Sequence, residues 1–233
     1  MHGKRAIVSG GAGALGRVVV NEFLAEGVSV AIPVTDAGIA KQSTGLFVPG
    51  RTLLAQADLR KEADVSRFLA KVIAEFRGVD YLVNVAGGYA GGNLIEETPV
   101  EEWDRMMELN LKIAFLLTRS VLPLMKKQRF GRIVNIAAMP AVLPSTKRVG
   151  YAVAKRGVVT LTEVAHEEVK GSGVTVNAIA PSIILTEANL KSMPEADKSK
   201  WVTPNEIAKL LLYLCSDDAR SVSGNVIRIF GGL

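Results

Sequence analysis

The chain has 233 residues, 48% of them hydrophobic, with mean hydropathy +0.25 and a formal net charge of +5. These values fit one large α/β domain with a substantial core and exclude a disordered chain or a small disulfide-stapled scaffold. The excess of cations is dispersed; its one cluster, Lys126, Lys127 and Arg129 with Arg132 close by, follows an apolar helical run and suits a helix C-terminus, so nucleic acid is not an expected partner.

A single cysteine, Cys215, excludes an internal disulfide and fits a reducing compartment. His2 and His166 lack companions at ligand spacing, so no metal site is expected. No signal-peptide layout and no charge-free apolar run of about 20 residues is present, which predicts a soluble cytoplasmic protein without a membrane partner.

In chain order, Arg5-Ala6-Ile7-Val8-Ser9 reads as a buried strand feeding the turn Gly10-Gly11-Ala12-Gly13-Ala14-Leu15-Gly16. A helical pattern through Val19, Val20, Phe23 and Leu24 follows. Strand, glycine turn and helix in that order suit a phosphate-binding turn. Glycines permit close backbone approach, and the helix N-terminus offers free N–H groups with positive potential. An ordinary strand-to-helix turn is the alternative. Residues 28–32 form a second strand, followed by Pro33, Val34, Thr35 and Asp36, where a dinucleotide fold meets the adenosine ribose. Residues 53–59 form a third; Asp58 at its end either reaches an adenine edge or merely begins a turn.

A helix is predicted over 62–77, with Val65, Phe68, Leu69, Val72, Ile73 and Phe76 on its apolar face. The fourth strand then runs from Asp80 into the small-residue turn Asn84-Val85-Ala86-Gly87-Gly88. Thr98-Pro99-Val100-Glu101 carries a helix cap, a first-turn proline and a capping-box glutamate. That helix includes Asn110 amid apolar neighbours, either a satisfied core amide or a holder of water or ligand.

Residues 132–136 form the fifth strand, and a loop over 137–149 leads to Tyr151-Ala152-Val153-Ala154-Lys155. On a helix, tyrosine and lysine four apart share one face. The ammonium then favours the ionised phenol and lowers its pKa from about 10, making Tyr151 a usable acid or base. Such pairs also occur on solvated helix faces. The sixth strand, 174–179, ends in Ala180-Pro181-Ser182, and residues 187–200 form a short polar segment suited to a substrate lid. Thr203-Pro204-Asn205-Glu206 repeats the capping signature ahead of a helix over 207–215, and residues 226–229 form a seventh strand. Strands alternating with helices throughout predict a single domain over 1–233: a Rossmann-like, doubly wound parallel sheet of about seven strands with helices on both faces.

These pieces, in this order, resemble the short-chain dehydrogenase/reductase family from end to end. The family's glycine motif matches Ser9 to Gly16, with Ala14 for its middle glycine and Gly13 one step earlier. Its Asn-Asn-Ala-Gly turn is Asn84-Val85-Ala86-Gly87, its helix asparagine is Asn110 and its Tyr-x-x-x-Lys is Tyr151 to Lys155. Its Pro-Gly-x-x-x-Thr segment is Pro181 to Thr186, with Ser182 for the glycine.

The resemblance implies an NAD(P)H-dependent oxidoreductase acting on a small carbonyl, alcohol or pterin-like substrate. Tyr151 would exchange a proton with the substrate oxygen, Lys155 would lower its pKa and bind the nicotinamide ribose, and Asn110 would hold a relay water. The cofactor would meet Gly10, Gly13, Ala14, Leu15 and Gly16 at the turn, and Val34, Asp58 and Leu59 at the adenosine end. Asn84, Ala86 and Gly87, then Tyr151 and Lys155, and finally Pro181, Ile184 and Thr186 would complete its contacts. A homotetramer or homodimer is also implied, with Trp103, Phe115, Leu116 and Val159 either at the interface or in the core.

Two departures matter. The family's catalytic serine falls on Ala138, and losing such a donor typically costs roughly 10²–10³ in kcat. A catalytically weak nucleotide-binding sensor or scaffold is therefore the alternative function. Local segments, including Val85 to Asn93 and Met193 to Asp197, also resemble the dihydropteridine reductases, which carry alanine there too. Second, the acid that NAD-preferring members carry after the second strand is Val34 here. Asp36 lies two residues on, Arg17 and Lys41 are candidate phosphate partners, and the balance leans toward NADP over NAD.

Overall fold

The computed structural model describes residues 1–35 and 44–233. Seven parallel strands form one sheet: β1 (Arg5–Ser9), β2 (Ser29–Val34), β3 (Thr52–Gln56), β4 (Tyr81–Asn84), β5 (Gly131–Ile136), β6 (Val174–Pro181) and β7 (Val226–Ile229). Their order is β3-β2-β1-β4-β5-β6-β7. The sheet has helices on both faces, and its inner strands read as nearly continuous apolar runs because neither face meets water.

Alternation along each strand splits the core in two. Ala6 and Val8 point to one side, where Val19 and Phe23 of α1 (Ala14–Ala25) pack with helix 204–215. Ile7 points to the other, against α2 (Glu62–Phe76) and the helices that follow. Val65, Phe68 and Val72 of α2 are buried, whereas Ile73, expected on the same face, is exposed. The later helices are α3 (Val100–Met107), α4 (Ile113–Gln128), α5 (Val149–Val169), α6 (Glu187–Ser192) and α7 (Pro204–Cys215). Among the described residues no helix is long and apolar enough to cross a membrane.

The two capping signatures fare differently. At α7 the box forms: Thr203 Oγ1 accepts from Glu206 N at 3.3 Å, and Thr203 N donates to Glu206 Oε2 at 2.7 Å. At α3 it does not. Thr98 Oγ1 donates to the Leu94 carbonyl at 2.8 Å, so the helix begins one residue later without a side-chain cap. A preceding turn over 95–97 offered the threonine a nearer acceptor. The third strand also ends at Gln56, leaving Asp58 in the turn beyond it. Of the residues assigned to interface or core, Leu116 and Val159 lie in the core and Phe115 is exposed.

Between α3 and α4 the chain makes a π-helical turn, Glu108–Lys112, centred on Asn110. Such turns widen the helix by one residue and often mark functional positions. Here the turn sets a buried amide facing the end of β4.

Candidate active site

The strand order reverses between β1 and β4, and open α/β sheets bind ligands beyond the carboxyl ends at such a point. A cleft of about 1310 Å³ lies there. Close backbone approach creates it. Gly10 has φ 68°, and a Cβ there would stand 2.8 Å from Ala86 N, the same N–H that donates to Ser9 Oγ at 3.1 Å. At Gly16 a Cβ would run into the Gly10 carbonyl oxygen. Gly10, Gly13, Ala14, Leu15 and Gly16 all line the cleft, as does Arg17, whose Nε donates to the Ala12 carbonyl. No side chain caps the first turn of α1 and none of its residues is acidic, so the turn suits an anionic phosphate group.

The adenosine end expected from the sequence contains Val34 on the cleft wall with Pro33 and Thr35. Asp36 and Lys41 lie outside the described residues. Asp58 and Leu59 line the wall too. The Asp58 carboxylate accepts from Arg60 Nε at 2.8 Å and Nη2 at 2.9 Å, which holds it below the usual carboxylate range. Its Oδ1 also accepts from Arg60 N, so Asp58 shapes the turn and borders the cleft at once.

At the other end Ala86, Gly87, Asn110, Tyr151, Lys155, Pro181 and Ile184 share the wall with Ala138. Asn110 is buried and clamps the turn after β4: Oδ1 accepts from Gly88 N at 3.2 Å, and Nδ2 donates to Gly88 O at 3.0 Å and Met106 O at 3.2 Å. A Cβ at Gly87 would lie 2.6 Å from Asn110 Oδ1 and 3.4 Å from Lys155 Nζ, so only glycine leaves room between them. Lys155 is buried and donates to the Ile136 carbonyl at 2.7 Å. That bond uses one of three ammonium protons.

Burial decides the charges of the pair. Desolvation lowers Lys155 from 10.5 to about 8 and raises Tyr151 from 10.0 to about 12. The i, i+4 spacing alone predicts that Lys155 lowers the phenol. The ammonium sits 5.9 Å from the Tyr151 ring centroid, and the neighbouring cation that lowers the phenol is instead Arg148, against the larger effect of burial.

Two expected cofactor residues do not reach the cleft wall. Asn84 turns into the sheet core, where Nδ2 donates to Asn135 Oδ1 at 2.8 Å; in a buried strand its amide needs that partner. Thr186 is spent as the cap of α6, accepting from Asn189 N at 3.3 Å. The polar segment 187–200 is α6 followed by a turn over 198–200, and Asn189, Ser192 and Met193 border the cleft. Among the described residues no cluster of three His, Cys, Asp or Glu could hold a metal.

The family model described as short chain dehydrogenase matches residues 4–197. The chain belongs to this family. It is 31% identical to a D-beta-hydroxybutyrate dehydrogenase of Rhizobium meliloti, an alignment covering 98% of each chain. It is 30% identical to the 3-oxoacyl-[acyl-carrier-protein] reductase FabG of Thermotoga maritima, over 100% of this chain and 98% of that one. Among solved structures, levodione reductase superposes with TM-score 0.93 at 29% identity, covering 100% of this chain and 98% of that one. The structure of ElxO with NADP bound gives 0.92 at 28%, covering 98% of each.

Among the charged and aromatic wall residues, Arg60 and Arg148 carry no motif signal, and Tyr89 stands out only within the segment Val85 to Asn93. Arg148 precedes Tyr151 by three positions, so adjacency to a motif residue is its one cue.

The shift of Lys155 makes stability pH-dependent. Its folded pKa lies below its unfolded value, so between about 8 and 10.5 the unfolded chain binds more protons and stability rises with pH. Urea unfolding at pH 7 and pH 9 should show the parent gaining about 1 kcal/mol relative to Lys155→Met. An equal pH response in both proteins would mean that Lys155 does not titrate in this window.

Proposed function

We propose that the chain is a reductase that uses NADPH in preference to NADH to reduce a small carbonyl substrate, with Tyr151 as proton donor. The observation carrying this reading is the convergence of Tyr151, Lys155 and Asn110 at one end of a cleft whose other end is the glycine turn. Gly10, Gly13, Ala14, Leu15 and Gly16 would hold the pyrophosphate, Val34, Asp58 and Leu59 the adenosine end, and Ala86, Gly87, Pro181, Ile184 and Lys155 the nicotinamide half. The bound nicotinamide supplies hydride. A phenol raised to about 12 stays protonated at neutral pH and serves as an acid toward the oxygen of a carbonyl being reduced. Lys155, mostly cationic below pH 8, supplies charge beside the developing phenolate.

Arg17 and Arg60 line the cleft, and Val34 stands where an acid would repel a 2′-phosphate; both support NADPH. The ElxO relative with NADP bound supports this cofactor, and the 3-oxoacyl reductase relative supports a carbonyl substrate. Ala138 replaces the family serine on the wall, while Ser145 and Thr146 are exposed and stand off it. That alanine favours a second reading, a nucleotide-binding sensor. Retention of the complete Tyr151, Lys155 and Asn110 set favours the enzyme, since a sensor has no chemical need of it.

Consumption of NADPH and NADH with a panel of ketones, aldehydes and a quinonoid dihydropterin tests the proposal. Faster NADPH consumption is expected, with turnover lost in Tyr151→Phe and nucleotide binding kept. Tight nucleotide binding without turnover would favour the sensor, and parental turnover in Tyr151→Phe would remove the tyrosine from its role. Ala138→Ser is expected to raise kcat on simple ketones by roughly 10²-fold; unchanged rates in a folded variant would refute the missing-donor account. We also propose a homodimer or homotetramer through the outer faces of α4 and α5, where Phe115 and Val153 are exposed. Sedimentation at micromolar concentration checks this, and a monomer would contradict it.

A further inference from the structure

The half of the cleft around Tyr151 holds a charge that the proton chemistry does not use. Arg148, half-buried immediately ahead of α5, lines the cleft three residues before Tyr151. Its Nε donates to the Thr146 carbonyl at 3.2 Å, and its guanidinium carbon lies 5.9 Å from the centroid of the Tyr89 ring. The Tyr89 ring in turn meets Tyr151 edge-on, with centroids 5.2 Å apart and planes at 76°. The Tyr89 ring thus lies near both the guanidinium and the phenol ring.

Two loops hold this arrangement. Gly92 N donates to the Lys147 carbonyl at 2.7 Å, tying the turn after β4 to the loop before α5. At Gly91 a Cβ would stand 2.7 Å from that same carbonyl and 2.9 Å from the Tyr89 hydroxyl, so the absence of a side chain lets the two segments close. Tyr89 itself is 59% exposed on the wall of the cleft, a large ring presented to whatever enters.

Charge gives the entering group its sign. Among the described residues Arg148 has no ion-pair partner. The one carboxylate among the described wall residues is Asp58, at the adenosine end and already paired with Arg60. Around Tyr151 the wall therefore carries Arg148 and Lys155 and no acid. With Nε occupied, the guanidinium keeps its terminal N–H groups, which match the two oxygens of a carboxylate.

We propose that Arg148, seated on Tyr89, is the substrate's anion site, and that the substrate is a small oxo acid whose carboxylate pairs with it while its carbonyl oxygen meets Tyr151. This rests on the reductase reading and adds the substrate class. Tyr89 is the positioning residue, its ring close to both the guanidinium and the Tyr151 ring. Pairing the acid also fixes the orientation of its carbonyl, which partly offsets the missing hydroxyl at Ala138.

The test compares pyruvate, acetoacetate and levulinate with their methyl esters, in parent, Arg148→Gln and Arg148→Lys. In the parent, kcat/KM for at least one acid should exceed that of its ester by roughly 10- to 100-fold, the range of one charge-assisted bond. In Arg148→Gln the ratio should fall to near one, mainly through KM of the acid, and Arg148→Lys should restore part of it. A ratio near one in the parent, or one retained in Arg148→Gln, overturns the proposal. Calorimetric titration of malonate into each protein with NADPH bound keeps this separate from the reductase reading. Malonate binding lost in Arg148→Gln supports the anion site even without turnover, whereas absent or equal binding overturns it.

Discussion

The contact between Gly10 and Ala86 governs everything above the sheet. β1 and β4 lie side by side in parallel register, Ser9 opposite Asn84, yet the segments that leave them serve helices on different faces. Their turns must separate, and they do so from a shared point where one backbone touches another and Ser9 Oγ accepts from Ala86 N. Any side chain at residue 10 would push the second turn outward and carry Gly87 and Gly88 with it. Asn110 grips Gly88 by both its N–H and its carbonyl, so the displacement would reach the far end of the cleft. Nucleotide end and reactive end are thus one mechanical unit.

The reactive end is organised around a cost. Burying Lys155 with one carbonyl partner makes its charged form unfavourable, and the same burial makes the neighbouring phenolate unfavourable. Neither group is at ease ionised, and each would be relieved by an oppositely polarised neighbour in the cleft. The π-helical turn contributes by rotating Asn110 into the core, where its amide closes the β4 turn against the Lys155 side of the wall.

Most of this was legible because it is local. Alternating apolar strands, the glycine turn and the Tyr151–Lys155 spacing each follow from a few adjacent residues, and their order fixes a doubly wound sheet. What escaped depended on partners distant in sequence. Asn84 read as a ligand residue because its motif sits at the cleft, but its amide is claimed by Asn135, 51 positions away. Thr98 carried a sound capping signal and lost to the Leu94 carbonyl. The sign of the Tyr151 shift is not legible because i, i+4 spacing says nothing of depth, and at this depth desolvation exceeds the pull of the one cation that lowers the phenol, Arg148. Arg148 carries no motif and Tyr89 only a local resemblance; their pairing comes from two loops meeting across Gly91.

Ala138 looks like a loss when the wall is read one residue at a time. A serine hydroxyl there would stabilise the substrate oxygen directly, whatever the rest of the molecule bears. The Arg148 guanidinium beside Tyr89, as the proposed anion site, would act only on a substrate that brings its own anion. On the proposed reading, exchanging the first device for the second would narrow the substrate range while leaving Tyr151, Lys155 and the glycine turn in place. On that reading neutral ketones would lack both the hydroxyl donor and the anchor. An oxo acid would lack only the donor, and its carboxylate would turn binding energy into orientation at the carbon to be reduced. The same wall would then be poor for one substrate class and serviceable for the other.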